Sequence, residues 1–439
     1  MTTVSGIDPT GAAVRFARRI GWGLADQGLS SLTNFVVGIV VARSVGVEQF
    51  GAFGLAFAAY LIVVGLSRAV TAQPVLIRYS GVDPSRWRSG AAAATGTALL
   101  IGLGAAPIAA VIGLLAGGSV RTAFVALAIV LPGMIVQDAW RFAFFARGRG
   151  RAAFMNDALW TVVQVAILGV MVWSEVVDVF VAVLAWGGAA NVAALFGVVQ
   201  SGVVPRPSAV RAWWYEHRDL LPPYIGEFAA NTLAGQLMVY AVGFVAGLAV
   251  VGAQRGAQVL LGPIYVVVQG VYLVAVPEAV RVLRTSVRRL ALFCVGAGVA
   301  LAAFAMAWTV ALLLIPDPLG IALMGEVWTA SREIVLNWGL SFAAVNVGVG
   351  AAIGLRALEA AARTLRAAAI GSAAQFVGAV AGAYVGGVVG AAWGYLAACL
   401  IWIAIWWWEF RAAVRDRTIQ DRSDDGPISH ARASEDELD

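Results

Sequence analysis

The chain has 439 residues, of which 61% are hydrophobic and only 13% charged, and its mean hydropathy is +0.84. Soluble domains are closer to half apolar and a quarter charged, so this composition excludes a soluble enzyme, a secreted disulfide scaffold and a disordered chain. The formal net charge is +5, and all 30 basic residues are arginines. Two cysteines and two histidines are too few for a metal site or a histidine-based triad. We therefore expect no metal, no cofactor and no enzymatic activity.

Apolar runs of spanning length recur along the whole chain. At about 20 residues per membrane span, they predict an all-α polytopic membrane protein with twelve transmembrane helices. The predicted spans are 20–43, 50–76, 90–117, 120–146, 153–174, 178–202, 224–250, 255–280, 287–315, 330–355, 360–386 and 388–410.

The arginine positions predict the orientation of these spans, because cytoplasmic loops carry an excess of basic residues. With a cytoplasmic N-terminus, 24 of the 30 arginines fall in cytoplasmic segments. The exceptions are Arg43, Arg121, Arg255 and Arg332 at outer ends, and Arg68 and Arg141 within spans. This alternation predicts a multi-pass protein of the cytoplasmic membrane with both termini inside.

The longest polar interruption, 203–223, contains four prolines and predicts a cytoplasmic linker. It separates an N-terminal lobe of six spans (1–202) from a C-terminal lobe of six spans (224–411). Its aromatic residues, Trp213 among them, favour a short helix in the lipid headgroup region. The acidic segment 412–439 has few apolar residues and is predicted to be a disordered cytoplasmic tail.

The two predicted lobes share a weak repeat. Gly51-Ala52 and the later Pro74–Arg78 resemble Gly256-Ala257 and Pro277–Arg281. Parallel repeats related by an axis along the membrane normal are typical of transporters. Chance similarity between apolar helices is the alternative explanation.

Charged side chains inside spans are costly, so they usually face a cavity or a partner. Arg68 lies about two thirds along the second span, where it lines a polar cavity or forms a structural ion pair. Asp26 and Glu227 fall in the first turns of their lobes; ion binding, pairing with Arg68 and helix-end placement are all open for them. Asp138 and Arg141, three residues apart, are expected to pair along one helix face.

Two stretches of the N-terminal lobe carry a family resemblance. They comprise Asp26–Asn34, Val41–Ser44 and Phe50–Phe53, followed by Gln137-Asp138, Arg141-Phe142, Phe145–Gly148, Asp157, Trp160 and Gln164. These residues resemble the polysaccharide exporters, in particular actinobacterial members. Those proteins are the lipid-linked oligosaccharide flippases of the multidrug/oligosaccharidyl-lipid/polysaccharide superfamily. The resemblance covers the first four or five spans, and the C-terminal lobe carries no matching motif.

The resemblance implies two six-helix bundles around a central cavity that opens alternately to either face. The implied cargo is an undecaprenyl-diphosphate-linked glycan, moved from the inner to the outer leaflet of the lipid bilayer. Arginine suits a diphosphate because its fork donates two parallel hydrogen bonds. The resemblance implies that Arg68 is the cavity cation and that Arg78 and Arg141 gather the diphosphate at the cytoplasmic mouth. Arg43 or Arg255 would lie nearer the outer exit. Asp26 and Glu227 would pair with these arginines or carry a coupling ion. The implied protein partners are a glycan polymerase or glycosyltransferases, and no nucleic acid is expected.

Three other functions compete with the flippase. A cation-coupled multidrug exporter of the same superfamily favours membrane-embedded acids over arginine in its cavity. A membrane enzyme such as a glycan polymerase usually needs a large outer loop, whereas the longest outer loop here is short, at about 316–330. A non-transporting component of a glycan assembly complex is the third alternative.

Overall fold

The structure is a computed structural model that describes residues 9–174 and 178–425, apart from the side chains of 9–20, 24, 231, 273 and 420–425. All regular elements of the described residues are helical, which confirms the all-α prediction. Ten of these helices are long and apolar enough to cross a membrane. The described chain is therefore that of a multi-pass membrane protein.

The first seven helices cover the segment predicted as the N-terminal lobe. They are α1 (Pro9–Ser44), α2 (Val47–Ser67), α3 (Gln73–Arg78), α4 (Pro84–Ala116), α5 (Gly118–Ala146), α6 (Gly150–Trp173) and α7 (Val179–Ser201). A π-helical turn, Arg68–Ala72, joins α2 to α3, so the two form one continuous span. Gly202 ends α7 in the left-handed conformation that favours glycine, with a φ of 64°.

The linker packs one side of its helix against the protein. It contains a 3-10 turn (Pro207–Ala209) and helix α8 (Val210–His217). Its Arg206 N–H donates to the carbonyl of Ala92 in α4. Trp213 is only 2% exposed, whereas Trp214 is 50% exposed. One face of α8 thus contacts the protein, and the predicted position of the linker in the headgroup region stays a prediction.

The remaining helices follow the linker. They are α9 (Leu221–Phe228), a π-helical turn (Ala229–Leu233), α10 (Ala234–Ala246), α11 (Leu248–Leu260), α12 (Gly262–Leu283), α13 (Val287–Leu313), α14 (Asp317–Met324), α15 (Glu326–Ala357) and α16 (Ala361–Asp425). Non-helical dihedrals at Gly386 and Gly387 break α16 at the turn that the sequence predicts between the last two spans. The count of twelve spans stays a prediction.

The predicted disordered tail begins too early in the sequence-based assignment. Helix α16 continues past residue 412 to Asp425. An ion pair between Arg363 and Asp416 holds this extension, and alanine and arginine in the segment are good helix formers. Residues 426–439 of the predicted tail lie outside the described residues.

The chain divides into two compact units. The first unit comprises 1–262 with 315–333, and the second comprises 263–314 with 334–439. Helices α9, α10 and α11 therefore belong to the first unit, although the sequence places their segment in the C-terminal lobe. Gly51 and Gly252 explain part of this packing, because a Cβ on either would overlap backbone of the facing helix, α11 or α2. The two lobes divided at 203–223 stay a prediction.

The second unit has its own closely packed core. Two glycine pairs allow the halves of α16 to cross at backbone contact: Gly378 faces Gly394, and Gly382 faces Gly390. Such small-residue stripes let membrane helices approach closely. Glu409 of α16 is fully buried and forms ion pairs with Arg363 and Arg366.

Candidate functional site

A polar cavity of about 270 Å³ lies inside the first unit. Helices α1, α2, α5, α6 and α7 and the π turn form its walls. Its charged lining residues are Arg68, Asp138, Arg141 and Asp157. These residues lie within spans, where an ionisable side chain marks a functional site by default.

Arg68, the first residue of the π turn, binds Asp138 of α5 in a bidentate ion pair. Its Nη2 lies 2.6 Å from Oδ1 of Asp138, and its Nε lies 2.9 Å from Oδ2. The Asp138 side chain is 5% exposed, whereas that of Arg68 is 41% exposed. Arg68 thus unites both predicted roles, since it forms an ion pair and also presents an accessible edge to the cavity.

Arg141 does not pair with Asp138, contrary to the prediction from their spacing. Its Nε and Nη2 both lie 2.5 Å from Oδ2 of Asp26, and its Nε lies 3.5 Å from Oδ2 of Asp157. The reason is geometric: Asp138 points to Arg68 of the neighbouring span, while Arg141 points to α1 and α6. Pairing between helices prevails here over the local i, i+3 contact.

Asp157 is the member of the network whose role the sequence predicts least well. It is 3% exposed and accepts hydrogen bonds from Ser30 (2.8 Å) and from Gln137 (2.7 Å). Its position at the start of the fifth predicted span, after a basic run, suggests an ion pair at the cytoplasmic end. The available signal was its inclusion, with Gln137, among the polar residues that carry the family resemblance.

The charge of the network does not balance. Three carboxylates face two guanidinium groups, so one negative charge is in excess when all five groups are ionised. Asp26 is fully buried, and its Oδ1 has no hydrogen-bond partner among the described residues. The side-chain amide of Gln164, on the cavity wall, also lacks partners within the described chain. The cavity wall therefore carries unsatisfied polar atoms on Gln164, whereas Asp26 contacts Arg141 but does not itself line the cavity.

Aromatic side chains form another wall of the cavity. Trp186 contacts Tyr60 edge to face, with ring centroids 4.9 Å apart, and lies 5.4 Å from Phe57. The guanidinium of Arg255 lies 3.8 Å from the centre of the Phe57 ring. Arg255 is thus adjacent to the aromatic wall through a cation–π contact.

Three predicted site residues lie away from this cavity. Arg43 is exposed at the end of α1, where Gly325 packs against its carbonyl. Arg78 contacts the linker through the carbonyl of Glu216 and the carboxylate of Asp219. Glu227 is exposed on α9 and does not line the cavity. Their predicted roles in binding cargo stay predictions.

The linker helix places a histidine in a buried position outside the spans. His217 is fully buried, and its Nδ1 lies 2.8 Å from the carbonyl oxygen of Trp213. Burial lowers the pKa of His217, although the hydrogen bond to Trp213 opposes that shift. Burial also raises the pKa of Tyr79, whose hydroxyl donates to Glu216. Within the described residues, no cluster of three or more His, Cys, Asp or Glu is arranged to hold a metal ion.

No family model matches the chain, and no curated protein matches it. Solved structures do. A multidrug resistance MATE family transporter of the MOP superfamily, in an inward-facing conformation, gives a TM-score of 0.64 at 14% identity, covering 89% of this chain and 95% of the other. The lipid II flippase MurJ, in an inward closed conformation, gives 0.66 at 10% identity and covers 91% of each chain. Likeness at such low identity bears on the fold alone: this chain shares the fold of these two solved structures.

Proposed function

We propose that this protein is an ion-coupled flippase that moves an undecaprenyl-diphosphate-linked oligosaccharide from the inner to the outer leaflet of the cytoplasmic membrane. The observation that carries the coupling half of the proposal is the buried network of three carboxylates and two arginines, with Asp26 Oδ1 unpartnered. Glycosyltransferases or a glycan polymerase are the proposed partners, on the basis of the family resemblance.

The excess carboxylate supplies a physical basis for coupling. A buried uncompensated charge is unfavourable, so a proton or a monovalent cation that enters the cavity neutralises the network. Arg141 contacts both Asp26 and Asp157. When either carboxylate is neutralised, Arg141 interacts more strongly with the other carboxylate, and this moves α1 relative to α6. Cation binding thereby biases a conformational equilibrium, which is the requirement for coupled transport.

Arg68 supplies the link to a diphosphate. Its fork is occupied by Asp138, but its side chain is 41% exposed. A diphosphate that binds this guanidinium must compete with Asp138. Substrate binding and neutralisation of the network are then coupled through the same ion pair.

A multidrug exporter of organic cations is the second candidate. The excess carboxylate of the buried network favours it, as does the aromatic wall formed by Phe57, Tyr60 and Trp186. Aromatic faces attract organic cations, and a solved MATE family transporter shares the fold.

Deletion of the gene in its host, followed by analysis of lipid-linked sugars, tests the flippase. We expect an undecaprenyl-diphosphate-linked sugar to accumulate inside the cell. The wild-type gene and Arg281→Ala should restore export, since Arg281 is 75% exposed and serves as the control. Asp26→Asn and Arg68→Ala should not restore it at equal protein levels. Intact surface glycans without accumulation would overturn the flippase, and dye efflux that depends on Asp26 would establish the exporter.

A further inference from the structure

The linker helix α8 makes a hydrogen bond to the span that carries Arg68. The indole Nε1 of Trp213 donates to the carbonyl of Val70, at 2.9 Å. Both residues are buried, at 2% and 6% exposure. Val70 is the middle residue of the π turn, and Arg68 is its first. A contact outside the cavity therefore reaches the turn that presents the cavity arginine.

The sequence explains why the carbonyl of Val70 needs an external donor. In an α-helix this carbonyl accepts from the residue four positions later, which here is Pro74, and proline has no N–H. The chain instead forms a π turn, in which the N–H of Gln73 donates to the carbonyl of Arg68. A buried carbonyl without a donor is costly. Trp213 supplies the donor that Pro74 removes.

The π turn determines the direction in which Arg68 points. It inserts about one extra residue into the helix, and one residue corresponds to a rotation of about 100° around an α-helix. Arg68, the first residue of this turn, makes its bidentate contact with Asp138 through both Nε and Nη2. Loss of the π turn would rotate α2 against α3 and disrupt the fork geometry.

The linker also holds the end of the same span. Arg78 donates to the carbonyl of Glu216 and to the carboxylate of Asp219, and the hydroxyl of Tyr79 donates to the Glu216 carboxylate. The ring of Tyr79 stacks on that of Trp213, with centroids 5.8 Å apart. The linker therefore contacts this span both at the π turn and at its end.

We infer that Trp213 is a positioning residue for Arg68: the linker stabilises the π turn and thereby directs the guanidinium to Asp138 and the cavity. This inference rests on the proposed function only in treating the Arg68–Asp138 pair as part of the transport machinery. It assigns the linker a role in transport beyond connecting two sets of spans.

A double-mutant cycle tests the inference. Trp213→Phe keeps an aromatic ring but removes the N–H, and Trp214→Phe is the matched control on the exposed side of α8. We expect Trp213→Phe to lower the transport rate about fivefold, the factor equivalent to one net hydrogen bond, and Trp214→Phe to leave it unchanged. In an Asp138→Asn background, Trp213→Phe should cause no further loss. Independent, multiplicative losses would overturn the inference, as would equal behaviour of the two tryptophan variants.

A second variant separates positioning from stability. Pro74→Ala restores a backbone N–H, so in the Trp213→Phe background the helix can satisfy Val70 by becoming α-helical. We expect the apparent Tm of the purified protein to recover while transport stays low, because Arg68 then points elsewhere. Recovery of both would mean a structural role alone and would refute positioning. If Asp138→Asn leaves transport normal, the proposed function of the Arg68–Asp138 pair fails. In that case the Tm values of the Trp213→Phe and Asp138→Asn cycle test the positioning role: non-additive shifts support it, and additive shifts refute it.

Discussion

Arg141 provides the sharpest test of the buried network. Removing this cation should strongly destabilise the protein, whereas removing one of its acidic partners should destabilise it only slightly. Arg141→Met leaves Asp26 and Asp157 buried without their shared counter-ion; Asp26 is fully buried and Asp157 is 3% exposed. Breaking a buried pair in this way costs about 3–5 kcal/mol. Asp26→Asn keeps an acceptor for Arg141, removes the excess negative charge, and should cost about 1 kcal/mol.

The two variants should also interact. In the Arg141→Met background, Asp26→Asn removes one of the two uncompensated carboxylates, so it should stabilise a protein that it destabilises on its own. Such sign reversal is a coupling between contacting residues that a double-mutant cycle measures directly.

The assay is thermal unfolding of the purified protein in detergent, monitored by the loss of the monodisperse peak. We expect Arg141→Met to lower the apparent Tm by about 5 °C, and Arg281→Met, at a side chain that is 75% exposed, to leave it unchanged. A decrease no larger than that of Arg281→Met would refute the reasoning. So would further destabilisation of Arg141→Met by Asp26→Asn.

Three further predictions concern other parts of the chain. Because burial lowers the pKa of His217, its neutral form favours docking of α8. Docking should therefore be complete above about pH 6.5 and weaken as the pH falls below that value. Hydrogen exchange of the α8 amides should show this pH dependence in the wild type but not in His217→Gln. Gly382→Val should cost about 1–3 kcal/mol, because a Cβ at this position overlaps the facing backbone. Gly386→Ala should be tolerated, because there is open space around Gly386. The yield of folded protein measures both effects. Glu409→Gln should cost about 2 kcal/mol, because two arginines lose a fully buried carboxylate. An apparent Tm equal to that of the wild type would contradict this.

The helices were the most predictable part of the molecule, because long apolar runs separated by glycine and proline leave few alternatives in a membrane. The break at Gly386 and Gly387 was predicted to within a residue. The last boundary was not, since the acidic composition after residue 412 concealed a helix that an ion pair from Arg363 stabilises.

Three charged residues of the buried network could be recognised in the sequence, but their contacts could not. Arg68, Arg141 and Asp26 are recognisable because each places a charge within a span, and the structure brings all three to one network. Arg68 and Asp138 are 70 positions apart in the chain, and Arg141 and Asp26 are 115 apart, whereas local spacing favours a contact between Asp138 and Arg141. Side chains on different helices meet according to helix rotation, to which the π turn before Pro74 contributes.

Asp138 discriminates between the two proposed cargoes, because its removal should affect them in opposite directions. Asp138→Asn frees the Arg68 fork, which the carboxylate now occupies through two contacts of 2.6 and 2.9 Å. A diphosphate should then bind more tightly, by about tenfold if one charge-assisted hydrogen bond no longer has to be displaced. An organic cation should bind more weakly, because the same change leaves two arginines and one carboxylate among the charged lining residues of the cavity. Binding of a short-chain polyprenyl diphosphate and of a fluorescent organic cation to the purified variant measures both effects. Tighter binding of the cation, or weaker binding of the diphosphate, would show that the ion pair does not control access to Arg68.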